Sequence, residues 1–183
     1  MHLDSDREMM LAVGRGRLEL MGVLFDRHHQ RMYRFFRRTN RDREACEDLV
    51  QSLFLRMLEY RTSYEGRSAF ITWMYRIAIG LRADYARQRQ RRGTDISPDL
   101  LHEELPAGGA TVPERELARL RAAMRALSPA DREILMLTKF EGLSYQDVAE
   151  LLGCTTGALK VRVHRALKDL RGRFMSTGEW QWP

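Results

Sequence analysis

The sequence predicts an all-α protein of two small helical domains joined by an acidic flexible linker. Apolar residues recur at spacings of three and four along most of the chain, and no alternating strand pattern is present. Residues 93–112 interrupt this pattern with glycine, proline and acidic residues. An apolar content of 44% over 183 residues is enough to form two small packed cores.

The apolar spacing in residues 1–92 predicts a domain of four helices. We expect these helices at about 6–11, 17–39, 44–60 and 69–92, with a glycine-containing loop at 61–68. The third helix has an apolar side formed by Leu49, Val50, Leu53, Phe54 and Met57. Its other side carries Asp48, Gln51, Ser52 and Arg56, which we expect to face solvent.

The composition of residues 93–112 predicts a linker between the two domains. The segment contains four acidic residues and no lysine or arginine: Asp95, Asp99, Glu103 and Glu104. It also contains three glycines and two prolines, which interrupt helices. Charge of one sign and helix-breaking residues together favour an extended connection.

Residues 113–175 predict a second domain whose helix boundaries carry local signals. We expect helices at about 113–127, 129–141, 145–152 and 156–173, followed by a tail at 176–183. Prolines suit the first turns of the first two helices, at Pro113 and Pro129. Hydroxyl side chains suit the caps of the last three, and a glycine suits the end of the third: Ser128, Ser144, Thr155 and Gly153.

The last two helices predict a helix-turn-helix that binds DNA. The final helix places Leu159, Val163, Ala166, Leu167 and Leu170 inward. It places Gly157, Val161, His164, Arg165 and Lys168 outward, with Lys160 at the margin. Lys160 and Arg165 suit contacts with phosphate or a guanine edge, and an exposed Val161 suits a thymine methyl. An ordinary three-helix bundle with a solvated basic face is the alternative that this pattern leaves open.

The fourth helix combines aromatic and arginine side chains. Trp73, Tyr75 and Tyr85 are interleaved with Arg76, Arg82, Arg87, Arg89, Arg91 and Arg92. Such a mixture suits the holding of unstacked bases and the tracking of a nucleic-acid backbone. The residues allow an equal alternative, in which Trp73 and Tyr75 belong to the core and the arginines are only solvated.

The charge distribution favours a polyanionic partner. The chain carries a net charge of +6, with 19 Lys and Arg against 12 Asp and Glu in residues 1–92. Nearly all of the positive charge is arginine, whose planar fork suits phosphate recognition. A biased genomic composition would explain the arginine content equally well.

Several classes of protein and site are not expected. No apolar run approaches the roughly 20 residues of a membrane span, and charged residues near the N-terminus argue against a signal peptide. We therefore expect a cytoplasmic protein without membrane insertion. Cys46 and Cys154 form no metal motif, and we expect buried thiols. The histidines lack metal-ligand spacing and no Gly-rich phosphate loop is present, so we expect no catalytic residue, metal or cofactor.

Several segments occur in an order that resembles a known family. DLVQSLFLRML at 48–58, TWMYRIA at 72–78 and LSPADREILML at 127–137 precede the helix-turn-helix, with a basic helix end and an acidic linker between. This order resembles the bacterial RNA polymerase sigma factors of the sigma-70 family, extracytoplasmic function group, over nearly the whole chain. Such a protein is a transcription initiation factor that binds core RNA polymerase and recognises promoter −10 and −35 elements.

The resemblance implies a role for each domain. The first would be region two, and its polymerase-binding segment matches Asp48, Leu49, Val50 and Gln51. Its −10 DNA-binding residues would be Trp73, Tyr75, Arg76, Arg82, Tyr85, Arg87 and Arg89, with the loop at 62–68 helping to capture a flipped base. The second would be region four, and its −35 DNA-binding residues would be Thr156, Lys160, Val161, His164, Arg165 and Lys168.

The resemblance also implies partners, and the sequence differs from the family pattern at three positions. The linker would thread the positively charged active-site and RNA-exit channel of polymerase, and the free protein would be a monomer controlled by an anti-sigma factor. Gly80 replaces an asparagine that helps to recognise the flipped base, and Ser52 replaces an acid beside the docking glutamine. Val161 stands where the family often has a polar residue. The promoter sequence therefore cannot be transferred from relatives.

Other classes of protein would need features that residues 1–92 lack. A two-domain helix-turn-helix regulator that does not bind core polymerase would need a ligand pocket or a phosphoacceptor there. A helical recombinase would need a nucleophile beside a cluster of carboxylates or arginines. A helical adaptor that binds only protein is a third alternative. The exposed face of the third helix and the arginines of the fourth favour the sigma factor.

Overall fold

The computed structural model describes residues 5–38, 40, 42–93 and 113–176, and in these residues no β-strand occurs, as the all-α prediction requires. The chain divides into two compact units, residues 1–97 and 98–183, and each is described by itself. The predicted linker after Gly93 and the predicted tail after Ser176 lie outside the described residues. The α-helices of the described part are α1 (Asp6–Gly14), α2 (Leu20–Arg37), α3 (Arg43–Glu59), α4 (Phe70–Arg91), α5 (Glu114–Ala126), α6 (Pro129–Leu135), α7 (Tyr145–Leu151) and α8 (Thr156–Ser176).

The helix α2 begins one turn later than predicted. The prediction places its start at residue 17, whereas the helix begins at Leu20. The amides of Leu20 and Met21 donate to carbonyls only three residues back, at 3.2 Å and 3.0 Å. This is the tighter 3-10 pattern that often precedes an α-helix, so the difference lies in the hydrogen-bond register of the first turn.

Polar contacts from the first turn of α1 attach this helix to α2. The Ser5 hydroxyl accepts a hydrogen bond from the amide of Glu8 at 3.2 Å. The Asp6 carboxylate accepts one from Arg27 at 2.8 Å, and its second oxygen lies 2.7 Å from Nε2 of His28. A carboxylate in the first turn also interacts favourably with the helix dipole. These contacts stabilise α1, which extends three residues beyond its predicted end.

The core of the N-terminal unit lies between α2, α3 and α4. The predicted inward residues of α3 are all buried, which confirms its apolar side: Leu49, Val50, Leu53, Phe54 and Met57. The neighbouring helices contribute Met32, Phe35 and Phe36 from α2 and Met74 and Ala78 from α4. Burial of each large apolar side chain contributes about 1.5–3 kcal/mol. This packing holds α3 in one rotational setting and thereby determines which of its residues face solvent.

The helix starts of the C-terminal unit follow the predicted caps. In each case a hydroxyl accepts from the amide three residues later, at 3.1–3.2 Å: Ser128 from Asp131, Ser144 from Asp147, and Thr155 from Ala158. Pro129 occupies the first turn of α6, whereas Pro113 lies at the cap position just before α5. Gly153 follows α7 with a φ of +64°, a left-handed conformation that favours glycine.

The helix predicted at 129–141 is not a single α-helix. The α-helical part ends at Leu135, and Met136–Phe140 form a π-helical turn. The amide of Glu141 donates to the carbonyl of Met136, five residues back, at 2.9 Å. Such a turn places one additional residue within the helix. The prediction is therefore wrong in its second half, because the apolar spacing alone does not distinguish the two hydrogen-bond registers.

A buried arginine connects α5 and α6. Arg132 is 8% exposed, and its guanidinium donates to the carbonyls of Met124 at 3.0 Å and Leu127 at 2.9 Å. It also donates to the carbonyl of Arg125 at 2.5 Å and thereby supplies donors at the end of α5, where the helix itself supplies few. Burial lowers the pKa of Arg132. Sequence reasoning missed this role because Arg132 has the spacing of an ordinary solvated residue.

The inward face of α8 is narrower than predicted. Leu159, Val163 and Ala166 are buried against α5, α6 and α7. Leu170 is half-buried, and Leu167 is 38% exposed. The prediction that Leu167 packs inward is wrong because this residue lies at the edge of the apolar stripe, outside the width that the three neighbouring helices cover.

The two free cysteines differ in burial. Cys46 is fully buried, and its thiol donates to the carbonyl of Asn40 at 3.7 Å. Burial raises the pKa of the Cys46 thiol to about 11. Cys154 is only half-buried after α7. The expectation of buried thiols is therefore confirmed for Cys46 and only partly met by Cys154.

Candidate functional surfaces

The outer side of α3 presents polar side chains without partners. Asp48 and Gln51 are exposed, and within the described residues neither makes a hydrogen bond or an ion pair. Leu49 and Val50, predicted to belong to the same binding segment, are only 7% and 6% exposed. The prediction that they bind a partner directly needs correction, because their side chains point into the core. They orient the helix, and Asp48 and Gln51 remain available to a partner.

An exposed leucine extends this surface. Leu55 is 61% exposed and follows Gln51 by four residues, so both lie on one side of α3. Sequence reasoning did not select Leu55, although its spacing from Gln51 carried the signal. A leucine in this position adds apolar area to a surface that is otherwise polar. Ser52, which departs from the family pattern, is half-buried beside it.

A cleft of about 480 Å³ lies between α3 and α4. Its walls come from Ala45, Asp48, Leu49, Ser52, Leu81, Asp84, Tyr85, Gln88 and Arg92. Leucine side chains contribute apolar surface, and charged side chains of both signs surround it. The cleft thus joins the polar side of α3 to the arginine-rich end of α4 within one unit.

Two of the aromatic side chains predicted to bind DNA belong to the core. Tyr75 is fully buried, its hydroxyl accepts a hydrogen bond from Arg31 at 3.0 Å, and its ring packs against Phe35 at 5.2 Å. Trp73 is 8% exposed, and its ring lies 5.0 Å from that of Tyr64. The prediction that Trp73 and Tyr75 hold unstacked bases is therefore corrected. Trp73 and Tyr75 belong to the core, as the alternative interpretation of α4 stated.

The arginines of α4 divide into exposed and anchored groups. Arg76 and Arg87 are exposed, although Arg87 bonds Asp84, whereas Arg82 is half-buried with its guanidinium 5.0 Å from the centre of the Phe35 ring. Arg89 lies over the half-buried ring of Tyr85 at 5.9 Å. Of the three aromatics predicted for nucleic-acid binding, Tyr85 is thus the one that reaches the surface. An arginine stacked on an aromatic ring is suited to both phosphate and bases.

An aspartate lies within this arginine group. The Asp84 carboxylate accepts a hydrogen bond from Arg56 of α3 at 3.2 Å and another from Arg87. These hydrogen bonds, that from Arg56 first, hold the pKa of Asp84 below its usual value. Asp84 therefore connects α3 to α4 and neutralises part of the arginine charge.

The outer side of α8 is a basic face with an apolar centre. Lys160, His164, Arg165 and Lys168 are exposed, and within the described residues none of them makes an ion pair. Val161 is 50% exposed among them. Thr156, at the start of the helix, is half-buried. The predicted outward arrangement is confirmed, and it leaves four cationic or titratable groups free to meet an anion.

Two family models match this chain, one in each unit. Residues 24–92, which include α3 and α4, match sigma-70 region 2, and residues 117–170 match sigma-70, region 4. The RNA polymerase sigma factor CarQ of Myxococcus xanthus is 32% identical over 152 residues, which cover 81% of this chain and 85% of that protein. The chain belongs to the sigma-70 family of RNA polymerase sigma factors.

Further relatives agree with the predicted group. The ECF RNA polymerase sigma factor SigX of Bacillus subtilis is 28% identical to this sigma factor over 160 residues, covering 84% of this chain and 82% of that protein. A solved structure of the sigma factor RpoE of Bartonella quintana, in complex with the anti-sigma factor NepR, matches with a TM-score of 0.62 at 26% identity. That match covers 83% of this chain and 94% of that chain. The resemblance to the extracytoplasmic function group is confirmed.

Membership establishes the general activity of this sigma factor. It binds core RNA polymerase and directs it to promoter DNA, as a transcription initiation factor and not as an enzyme. In the part of the chain that the structure describes, no three His, Cys, Asp or Glu side chains are grouped to hold a metal ion. None of the described helices has both the length and the apolar character that crossing a membrane requires.

Gly80 lies in the middle of α4 with open space around it. It is exposed, and a Cβ built there meets no atom within 4 Å. We expect Gly80→Ala to raise the free energy of unfolding by about 0.5–1 kcal/mol, because glycine has the greater backbone entropy in the unfolded chain. Chemical denaturation measures this change. The same space would admit the asparagine that the family has at this position.

Gly14 provides the matched control for this prediction. A Cβ at Gly14 would lie 2.9 Å from the carbonyl oxygen of Arg61, and backbone atoms there cannot simply rotate away. Gly14→Ala is therefore expected to lower the free energy of unfolding. A destabilising Gly80→Ala would contradict the open environment of α4 described above.

Proposed function

We propose that three surfaces of this sigma factor divide the work of promoter recognition. The outer side of α3 binds core polymerase, the arginine-rich side of α4 binds the −10 element, and the outer side of α8 binds the −35 element. One observation carries this proposal: exposed polar or basic side chains occur at the positions that match the family's binding segments, and Asp48 on α3 and Arg165 on α8 make no ion pair within the described residues. The arginines of α4 differ, because Arg87 already bonds Asp84 and Arg82 lies over Phe35, so DNA binding there would exchange these contacts for contacts with DNA.

The polymerase-binding surface consists of Asp48 and Gln51, supported from below by Leu49 and Val50. Exposed Leu55 and the cleft beside Asp48 enlarge it with apolar area. A small apolar region surrounded by polar groups is the usual composition of a protein interface. Ser52 contributes no charge to it, so we expect Asp48 to carry most of its electrostatic complementarity.

The −10 surface consists of Arg76, Arg82, Tyr85, Arg87 and Arg89. Stacking on aromatic and arginine planes compensates for the loss of base stacking when the duplex opens, so melting requires no nucleotide hydrolysis. Trp73 and Tyr75 act indirectly, as the buried support from which these side chains project. The loop at 62–68 is proposed to help capture the flipped base.

The −35 surface consists of Thr156, Lys160, Val161, His164, Arg165 and Lys168. A helix that follows a glycine turn and presents free cations near its start is suited to the major groove. The acidic residues at 93–112 are proposed to thread the positively charged channel of polymerase; nearly all of that segment lies outside the described residues.

We further propose that an anti-sigma factor controls this chain. The support is the solved structure of the similar sigma factor RpoE of Bartonella quintana, which is in complex with the anti-sigma factor NepR. The anti-sigma factor then holds the chain in the cytoplasm until release, and the released chain is a monomer that binds core polymerase. The surfaces that bind the −10 element and core polymerase are then accessible only in the released chain.

The −10 proposal can be tested separately from polymerase binding. The full chain is assembled with bacterial core polymerase, and promoter opening is followed by the permanganate reactivity of thymines. We expect Arg76→Ala and Arg89→Ala to slow opening at least about fivefold, because each removes a contact of ~1 kcal/mol or more with bases or phosphates. Binding of core polymerase by these variants should stay unchanged.

Arg15→Ala is the matched control, since Arg15 is exposed in the same unit but lies outside the proposed surfaces. It removes the same charge and should leave opening at the wild-type rate. Equal slowing by all three variants would mean that net charge, and not the α4 surface, determines opening.

A further inference from the structure

Val161 has no structural reason to be apolar. It is 50% exposed at the centre of the outer side of α8, where it gains little from packing. A β-branched residue in an exposed helix position also has a lower helix propensity than alanine or lysine. Neither the core nor the stability of α8 therefore explains this valine.

Gly157 leaves open space beside Val161 on the basic face of α8. Gly157 lies four residues earlier on the same side, and a Cβ at Gly157 would meet no atom within 4 Å. Because helical Cα–Cβ bonds tilt toward the N-terminus, the Val161 side chain leans toward Gly157. The exposed side chains Lys160, His164, Arg165 and Lys168 lie on the same basic face of α8.

This arrangement separates two kinds of contact with a duplex. Cations at the sides are suited to the phosphates on either side of the major groove. The glycine at the centre lets the helix backbone approach the base edges closely. What meets those edges is then a pair of valine methyl groups, which can neither donate nor accept a hydrogen bond.

We propose that Val161, together with the space at Gly157, contacts the C5-methyl group of a thymine in the −35 element. Thymine presents a methyl group in the major groove, whereas guanine, adenine and cytosine present hydrogen-bond donors or acceptors and no methyl group there. A valine against one of those polar edges would exclude its water and replace no hydrogen bond. Val161 therefore selects thymine both by apolar contact and by penalising the alternatives. This inference rests on the proposed −35 role of α8.

The test uses the full chain assembled with bacterial core polymerase and −35 duplexes recovered by selection from a random pool. Each thymine of the recovered −35 element is replaced in turn by deoxyuridine, which lacks only the methyl group. We expect one replacement to weaken binding by wild-type protein about three- to fivefold, the size expected from one buried carbon. The same replacement should have no effect on the Val161→Ala variant, which should fold normally because position 161 is exposed.

The possible outcomes separate this inference from the function on which it rests. Equal deoxyuridine effects in wild type and Val161→Ala would overturn it, because another residue would then read the methyl group. No deoxyuridine effect at any thymine, with Arg165→Ala still weakening binding, would also overturn it while leaving the −35 role of α8 intact. Full wild-type affinity in both Val161→Ala and Arg165→Ala would remove the −35 role of α8 and the inference together.

Discussion

Reversing the charge of Asp48 with Asp48→Arg is expected to weaken the binding of core RNA polymerase about tenfold or more. Asp48 is exposed on α3 and, within the described residues, holds no hydrogen bond or ion pair. Its replacement therefore removes nothing from the fold, whereas like charges brought together in an interface cost several kcal/mol. Fluorescence titration of labelled protein with core polymerase measures the dissociation constant, and co-elution reports the stoichiometry.

Glu47→Arg is the control for this reversal. Glu47 precedes Asp48, is also exposed, and undergoes the same change in net charge, but it points about 100° away around the helix. We expect Glu47→Arg to bind core polymerase within a factor of about three of wild type, since rim charges affect affinity only weakly. If both reversals weakened binding equally, overall charge would be responsible. If Asp48→Arg also lost helical circular dichroism, Asp48 would have a structural role instead.

Removing the Arg165 side chain is the second change with a large expected effect. Arg165 is exposed beside Val161 on α8 and makes no ion pair among the described residues. If its guanidinium reads a guanine edge, Arg165→Ala should cost about 1–3 kcal/mol of binding to the cognate −35 duplex. This corresponds to a loss of affinity of roughly 5- to 150-fold. Fluorescence anisotropy with holoenzyme at two salt concentrations measures both the affinity and its salt dependence.

Arg171→Ala and an unrelated duplex give the necessary comparisons. Arg171 is exposed on the same helix nearly two turns later, so its removal changes the charge equally at a different place. A base contact predicts a loss that is specific to the cognate duplex. A uniform loss on both duplexes, with a smaller salt dependence, would identify Arg165 as a phosphate contact instead. Unchanged affinity would remove Arg165 from the interface.

Local chemistry explains what could be predicted from the sequence. The caps at Ser128, Ser144 and Thr155 involve only residues three apart, so each boundary follows from the residues around it. The inward side of α3 also follows from local spacing, because its five predicted inward residues repeat with the helix period and are all buried. The order of these segments along the chain was enough to indicate the family, and the family matches agree.

Features that depend on neighbouring helices could not be predicted in this way. Arg132 has the spacing of a solvated residue, yet its guanidinium reaches three carbonyls at and just beyond the end of α5. Leu167 has the spacing of a core residue, yet α5, α6 and α7 do not extend over it. The pairing of Asp84 with Arg56 joins residues 28 apart on two helices, and no sequence spacing specifies that distance.

The sequence by itself thus determined the all-helical class, the caps at Ser128, Ser144 and Thr155, and the family. Only the tertiary structure decided which aromatics of α4 belong to the core. Trp73 packs against Tyr64, and Tyr75 packs against Phe35, whereas Tyr85 remains half-exposed. The physical reason is that helical periodicity states which residues share a side of a helix. It does not state how much of that side the other helices bury, and that extent decides whether a side chain supports the fold or meets DNA.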